Sequence, residues 1–238
     1  MGITYYQMSQ LKAIVFDLDD TLYPDRDFVL SGFRAVAAWA SVNLGISESI
    51  GFATLFQLYS EGVRNNTFDR WLTIHGIETK IVPELLDIYR QHPPNISPFP
   101  DAIDLLKTLA QSYQIGLVSD GYLAVQQGKW AALGLDTFFN AVVFSDSLGR
   151  ENWKPSTAPF KLVLEQLNVS PQFSVYVGDN PRKDFFGARQ LGMYTIQFKH
   201  SASEYGNLQP PSPDHCAHLI VGSLAEILGS IDKIESLL

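Results

Sequence analysis

Hydrophobic and polar positions fall into two rhythms along this chain. Near the start, Ala13-Ile14-Val15-Phe16 is an unbroken apolar run, the pattern of a short strand buried on both faces. From residue 27 to 92 no such run occurs. Leu30, Phe33, Ala37, Ala40 and Leu44 recur there at helical spacing, with Asp27 placed to cap the helix and Gly45 to end it. Ser47 is placed to cap a second helix running towards Asn65, and Thr67 a third ending at Gly76. Pro83 suits the first turn of a fourth, covering Glu84 to about Gln91. These helices carry their own aromatic stock (Phe33, Trp39, Phe52, Phe56, Phe68, Trp71 and Tyr89 among them), so they read as an inserted helical subdomain.

The proline-rich stretch His92–Pro100 cannot be helical throughout and reads as the return from that insert. Beyond it helix and strand alternate. The pattern predicts a helix over Asp101–Ser112, then strands at Ile115–Val118, Ala141–Phe144, Ser174–Val177, Tyr194–Phe198 and His218–Val221. Helices are expected at 123–133, 157–167, 183–191 and from Ser223 onwards, with a long polar loop over 199–217. Strands separated by helices imply right-handed crossovers. The expected fold class is therefore α/β: a Rossmann-like, mostly parallel sheet flanked by helices, with an inserted α-helical cap. The expected division is a discontinuous core of residues 9–25 and 96–238 and a cap of residues 26–95.

Composition narrows the function. The 238 residues are 46% hydrophobic and 18% charged, ordinary for a soluble globular protein. A net charge of −8 disfavours nucleic acid or an anionic membrane as partner. Cys216 is the single cysteine, so no intrachain disulfide forms, which fits a reducing, cytoplasmic setting. Residues 1–10 form a short polar lead-in without the features of a signal peptide, and Tyr6 breaks the myristoylation pattern that Gly2 begins. No apolar run approaches the roughly 20 residues of a membrane span. Oligomeric state leaves no mark on the pattern.

The candidate chemistry lies where the predicted strands end. Asp17, Asp19 and Asp20 follow the first strand, and Thr21 follows them. Carboxylates are poor strand formers and costly to bury unpaired, so this cluster either meets a cation or forms a simple turn. Ser119 and Asp179 close two later strands, and Lys154 sits in the loop after another. Each has an ordinary alternative when taken singly. Serine and aspartate cap turns, loop lysines are solvated, and Asp184 can be a first-turn partner of its helix dipole. Arg182 and Lys183 read as exposed charges.

Taken together and in order, Asp17-Leu18-Asp19-Asp20-Thr21, Ser119-Asp120-Gly121, Lys154-Pro155 and Gly178-Asp179-Asn180-Pro181-Arg182-Lys183-Asp184 resemble the motifs of the haloacid dehalogenase-like (HAD) superfamily of hydrolases. The match is to the phosphatase branch with a helical cap after the first motif. The loop before Lys154 is longer than the commonest spacing in that family. The resemblance implies Asp17 as a nucleophile that forms an aspartyl phosphate, and Asp19 as general acid/base. It implies Thr21, Ser119, Asp120, Gly121 and Lys154 around the phosphoryl oxygens, the Asp120 and Gly121 contributions coming from backbone N–H groups. It implies Mg²⁺ held by Asp17, the Asp19 backbone carbonyl, Asp179 and Asp184, the last directly, through water, or by orienting Lys154.

Asp19 favours phosphate transfer over dehalogenation, because an alkoxide leaving group needs a proton whereas a halide does not. The expected activity is a Mg²⁺-dependent phosphomonoesterase acting on a small phosphorylated metabolite. A phosphomutase on the same core and a non-catalytic phospho-receiver or binding protein are the alternatives. Sugar phosphates, nucleoside monophosphates and phosphoglycolate-like acids all remain open as substrates. The cap is expected to close over the metal site, with Arg26, Arg34, Arg64, Arg70, His75 and the cap aromatics as candidates to face it.

Overall fold

A computed structural model describes residues 11–200, 203–205 and 208–238. The polar lead-in, the readings of the N-terminus and the expected start of the core at residue 9 lie outside the described residues, as does part of the 199–217 loop.

The first strand, β1 (Ala13–Phe16), is buried along its whole length on both faces. Four helices follow: α1 (Asp25–Asn43), α2 (Glu48–Ser60), α3 (Thr67–Ile74) and α4 (Val82–Gln91). The rest of the chain alternates: α5 (Ala102–Leu109), β2 (Gln114–Ser119), α6 (Leu123–Leu133), β3 (Ala141–Phe144), α7 (Ala158–Leu167), β4 (Ser174–Gly178), α8 (Phe185–Gln190), β5 (Tyr194–Phe198), β6 (Leu219–Val221) and α9 (Glu226–Glu235). The six strands form one sheet in the order β3-β2-β1-β4-β5-β6, and every pairing is parallel. This is the α/β class expected, with the helical segment inserted after β1.

The strand order reverses at β1, whose neighbours are β2 on one side and β4 on the other. In open parallel sheets a crevice opens at such a switch point, beyond the strands' carboxyl ends. Alternate residues of β1 face opposite layers. Ala13 and Val15 join Val163, Leu167, Tyr176 and Phe185 in the layer of α7 and α8. On the other face Phe16 meets Phe139 edge-on, which in turn meets Trp130 of α6. The carboxyl end of β1 is thus clamped from both sides.

By its contacts the chain divides into two units, one made of the segment up to Pro24 with Ser97–Leu238, the other of Asp25–Ile96. The second has its own core of Phe33, Val36, Leu55, Phe68, Trp71, Leu72 and Leu85. Trp71 is fully buried and donates its indole N–H to the Gly51 carbonyl at 2.9 Å. Three local expectations differ here; in one, α3 begins at Thr67 itself, so Thr67 lies in its first turn with Asn66 at the cap position. Helix α1 begins at Asp25, so Asp27 lies in its first turn instead of capping it. Ser47 stands at the expected cap of α2, but its hydroxyl bonds Ser49 Oγ at 3.0 Å and makes no bond to the helix. Pro83 does lie in the first turn of α4. No helix among the described residues is long and apolar enough to cross a membrane.

Candidate active site

The sequence places Asp17 one residue past β1, and its backbone N–H still bonds the Val177 carbonyl of β4 at 2.8 Å. The side chain is therefore fixed by the sheet itself. Lys154 Nζ lies 2.7 Å from Asp17 Oδ1, 2.8 Å from Asp184 Oδ1 and 2.8 Å from the Tyr176 hydroxyl. An ammonium has three hydrogens, and each has a partner here. Burial alone would lower the Lys154 pKa, but Asp17 and Asp184 outweigh it and the net shift is upward.

The loop that brings Lys154 inward is pinned at several points. Its two short 3₁₀ turns, Ser145–Leu148 and Arg150–Asn152, take up the added length. Asp146 accepts from the Leu123 N–H at the start of α6 and from the Trp153 indole N–H at 3.1 Å. Asp120 Oδ1 accepts from the Lys154 backbone N–H at 3.2 Å. Asp120 thus reaches this site through its carboxylate as the anchor of that loop.

Three buried carboxylates, Asp17, Asp179 and Asp184, offer one oxygen each within 4.8 Å of one another. Asp17 Oδ2 is buried with no hydrogen-bond donor, and Lys183 Nζ lies 3.9 Å from it. Burial, then the neighbouring carboxylates Asp184 and Asp19, raise the Asp17 pKa against the pull of Lys154 and Lys183. Asp179 is pushed well above the carboxylate range by burial, Asp184 and Asp17. A cluster short of positive charge, with one orphaned buried oxygen and only oxygen donors, fits a hard divalent cation. Asp184 is already engaged, since Oδ2 accepts from the Asn180 N–H at 2.8 Å while Oδ1 holds Lys154. Gly178 makes room for it: a Cβ there would lie 2.6 Å from Asp184 Oδ2.

Asp19 stands apart from that triad. Its carboxylate accepts from Lys129 Nζ (2.7 Å) and the Tyr23 hydroxyl (2.5 Å) on Oδ1, and from Gln126 Nε2 (2.9 Å) on Oδ2. Burial tends to raise its pKa, but Lys129 and the three hydrogen bonds prevail and hold it at about 2. Gln126 Nε2 also lies 2.6 Å from Ser119 Oγ. Thr21 Oγ1 is buried without a partner. Gly121, at φ 139°, takes a backbone conformation open to glycine.

The structure therefore brings Asp17, Lys154, Asp179 and Asp184 into one contact network and adds Tyr176, which the sequence did not suggest. It links Asp19 and Ser119 through Gln126 and adds Lys129 and Tyr23. Lys183, read as an exposed charge, is half-buried and turned towards Asp17, whereas Arg182 is exposed. Gln126, Lys129 and Leu133 are the buried residues of α6. The available signal was that two polar side chains, at i and i+3, share the helical stripe of a core leucine. Of the candidate arginines in the helical unit, Arg26 covers the Phe56 ring, Arg34 covers Phe52, and Arg64 covers Tyr59.

A six-stranded parallel sheet carrying a carboxylate triad and a triply bonded lysine at its carboxyl edge matches the Rossmann-like core expected from the sequence, and comparison with known proteins gives the family. The family model for haloacid dehalogenase-like hydrolases matches residues 14–198, and the chain belongs to that family. Within it, the chain is an HAD-like phosphatase, a phosphoric monoester hydrolase. It is 29% identical over 234 residues to the glyceraldehyde 3-phosphate phosphatase of Methanopyrus kandleri, covering 94% of this chain and 98% of that one. It is 30% identical to the glyceraldehyde 3-phosphate phosphatase of Methanothermobacter thermautotrophicus, over 82% of this chain and 88% of that protein. Among solved structures, the HAD-hydrolase YfnB from Bacillus subtilis bound to magnesium shares the fold with a TM-score of 0.66 at 19% identity, over 94% of this chain and 99% of that one.

Proposed function

We propose that the protein is a Mg²⁺-dependent phosphatase of small phosphorylated sugars, working through an aspartyl phosphate on Asp17. The observation that carries this reading is the Asp17 carboxylate itself: one oxygen is held by Lys154, and the other is buried with no donor beside two further carboxylates. Asp17, Asp179 and Asp184, with the Asp19 carbonyl, would hold the cation. When bound, a divalent ion screens the repulsion between an attacking carboxylate and the phosphoryl oxygens.

The protein's own groups supply the remaining steps. Asp17 attacks phosphorus and the bond to the leaving oxygen breaks, with Lys154, Thr21 and Ser119 donating to the phosphoryl oxygens. Asp19 hands a proton to the leaving oxygen, then takes one from the water that hydrolyses the aspartyl phosphate. Lys129 keeps the resting Asp19 ionised, so the first proton must arrive with the substrate. A phosphomonoester can bring it, because its second ionisation lies at about pH 6.

The relatives' substrate, glyceraldehyde 3-phosphate, supports a small sugar phosphate as the class for this chain. The family match and phosphatase relatives spanning most of the chain favour hydrolysis over the mutase and receiver readings. The test is release of inorganic phosphate from p-nitrophenyl phosphate and a panel of three- to six-carbon sugar phosphates, with Mg²⁺ and with chelator. Turnover that requires Mg²⁺ and favours the sugar phosphates is expected. Wild-type protein no more active than Asp17→Asn across the panel would reject the reading.

A further inference from the structure

Gln126 is buried in the first turn of α6, and its side-chain nitrogen bridges two groups of the site: Asp19 Oδ2 at 2.9 Å and Ser119 Oγ at 2.6 Å. A primary amide nitrogen has two hydrogens, one for each partner. Turning the amide over would set its carbonyl oxygen against Asp19. That carboxylate, with Lys129 Nζ 2.7 Å away, can only accept. Asp19 therefore dictates which way the amide faces. With nitrogen inward, Ser119 receives a hydrogen bond from Gln126 and its own hydroxyl hydrogen is left to donate. Among the described residues no acceptor takes that hydrogen. Ser119 is fully buried at the end of β2, so its hydroxyl has few directions in which to donate.

Gly121 seats the amide. A Cβ at that position would lie 2.9 Å from Gln126 Cδ, closer than a side chain tolerates. The turn after β2 is thus shaped to hold Gln126 against both partners.

We infer that Gln126 is a positioning residue that fixes the Ser119 hydroxyl as a hydrogen-bond donor to a phosphoryl oxygen, and that it takes its own orientation from the Asp19 carboxylate. The inference rests on Ser119 being a phosphoryl ligand, as proposed above. Without Gln126 the serine can turn its hydrogen elsewhere and present lone pairs to an anion instead.

The test compares wild type, Gln126→Met, Gln126→Glu, Ser119→Ala and the Gln126→Met/Ser119→Ala double variant. The readouts are kcat and KM for p-nitrophenyl phosphate, competitive inhibition by inorganic phosphate, and the thermal midpoint. Loss of one oriented hydrogen bond should weaken phosphate inhibition about five- to tenfold in Gln126→Met. The same loss is expected in Ser119→Ala, and the double variant should be no worse than Ser119→Ala alone. A folded Gln126→Met inhibited by phosphate like wild type would overturn the inference, and so would a double variant whose loss is the product of the two single losses. If Gln126→Met does not fold, Gln126→Glu, which matches glutamine in shape but removes the amide donor, should show the same weakening, and unchanged inhibition there overturns it equally. Turnover by wild type and none by Asp17→Asn keeps the phosphatase reading standing whichever way the Gln126 series falls.

Discussion

The two units of this chain bury very different things. The helical unit, Asp25–Ile96, hides aromatic and aliphatic side chains and only three polar ones, Ser31, Thr67 and His92, with no buried aspartate, glutamate, lysine or arginine. The sheet-bearing unit buries Asp17, Asp20, Asp120, Lys129, Lys154, Asp179 and Asp184. Buried charges are expensive even when paired, and apolar replacements of similar shape are often as stable or more so. A unit that retains seven of them carries a stability cost in its sheet-bearing core. The helical unit, with a core of apolar and aromatic side chains and no buried Asp, Glu, Lys or Arg, carries no such cost.

Substitutions in each unit should therefore fail in different ways. Asp17→Asn should lower kcat more than about a thousandfold if, as proposed, this carboxylate attacks phosphorus, and the measurement is phosphate release at saturating substrate. Its thermal midpoint should stay at or above that of wild type, since it removes one member of a mutually repelling cluster; a large drop would mean Asp17 is mainly structural. Trp71→Ala in the helical unit should instead cost about 3–5 kcal/mol of stability by denaturant titration, through lost packing and the cavity left behind. A loss below about 1 kcal/mol would show that the helical core is loosely packed.

Lys129→Met tests a buried charge outside the carboxylate triad. It frees Asp19 from its strongest partner, and kcat should fall about ten- to a hundredfold, with Lys129→Arg recovering part of the loss. A pH–rate profile that does not move between Lys129→Met and wild type would show that Lys129 does not govern Asp19.

The smallest effect is expected at His218, far along the chain from any site residue. Its Nδ1 accepts from the Thr195 N–H at 3.1 Å and sits 2.8 Å from Thr195 Oγ1, so this nitrogen must stay unprotonated. Burial, then Arg189, lower the His218 pKa below its usual 6.5. A histidine depressed in the folded state binds its proton more readily when unfolded, so its contribution is complete above pH 6.5 and fades as the pH falls below that value. His218→Asn should flatten the loss of stability between pH 7 and pH 5, measured by thermal melts; an unaltered slope would assign the pH dependence elsewhere.

Much of this architecture is legible in the sequence because parallel strands announce themselves. Ala13–Phe16, Ala141–Phe144 and Tyr194–Phe198 are observed as expected, each a short apolar run bounded by turn residues. Asp17, Ser119 and Asp179 are legible for the same reason, since the carboxyl ends of such strands are where ligands gather. Lys154 is harder. It lies ten residues past β3, and it is long-range contacts such as those of Asp146 and Asp120 that bring it to Asp17. Gln126 and Lys129 were not found, although their helix was placed correctly at 123–133, because the inward face of a helix is set by what packs on it. A lone lysine in a helix reads as solvated until Asp19, 110 positions earlier, is seen beside it. Lys183 reads as exposed for the same reason: Asp17, the carboxylate it faces, lies 166 positions earlier in the chain.

The central place of β1 also has a consequence for biosynthesis. Ala13 pairs with Gln114 on one side and with Ser174 on the other, partners about 100 and 160 residues further along. At translation rates of about 5–20 residues per second, the strand bearing Asp17 emerges roughly 8–30 s before its second neighbour exists. For that interval an apolar segment that is later the most sheltered in the molecule has nowhere to dock. The first residues of the candidate site to leave the ribosome are thus among the last to be locked in place, and a nascent chain stopped short of β4 holds Asp17 without the strand whose Val177 carbonyl fixes its backbone.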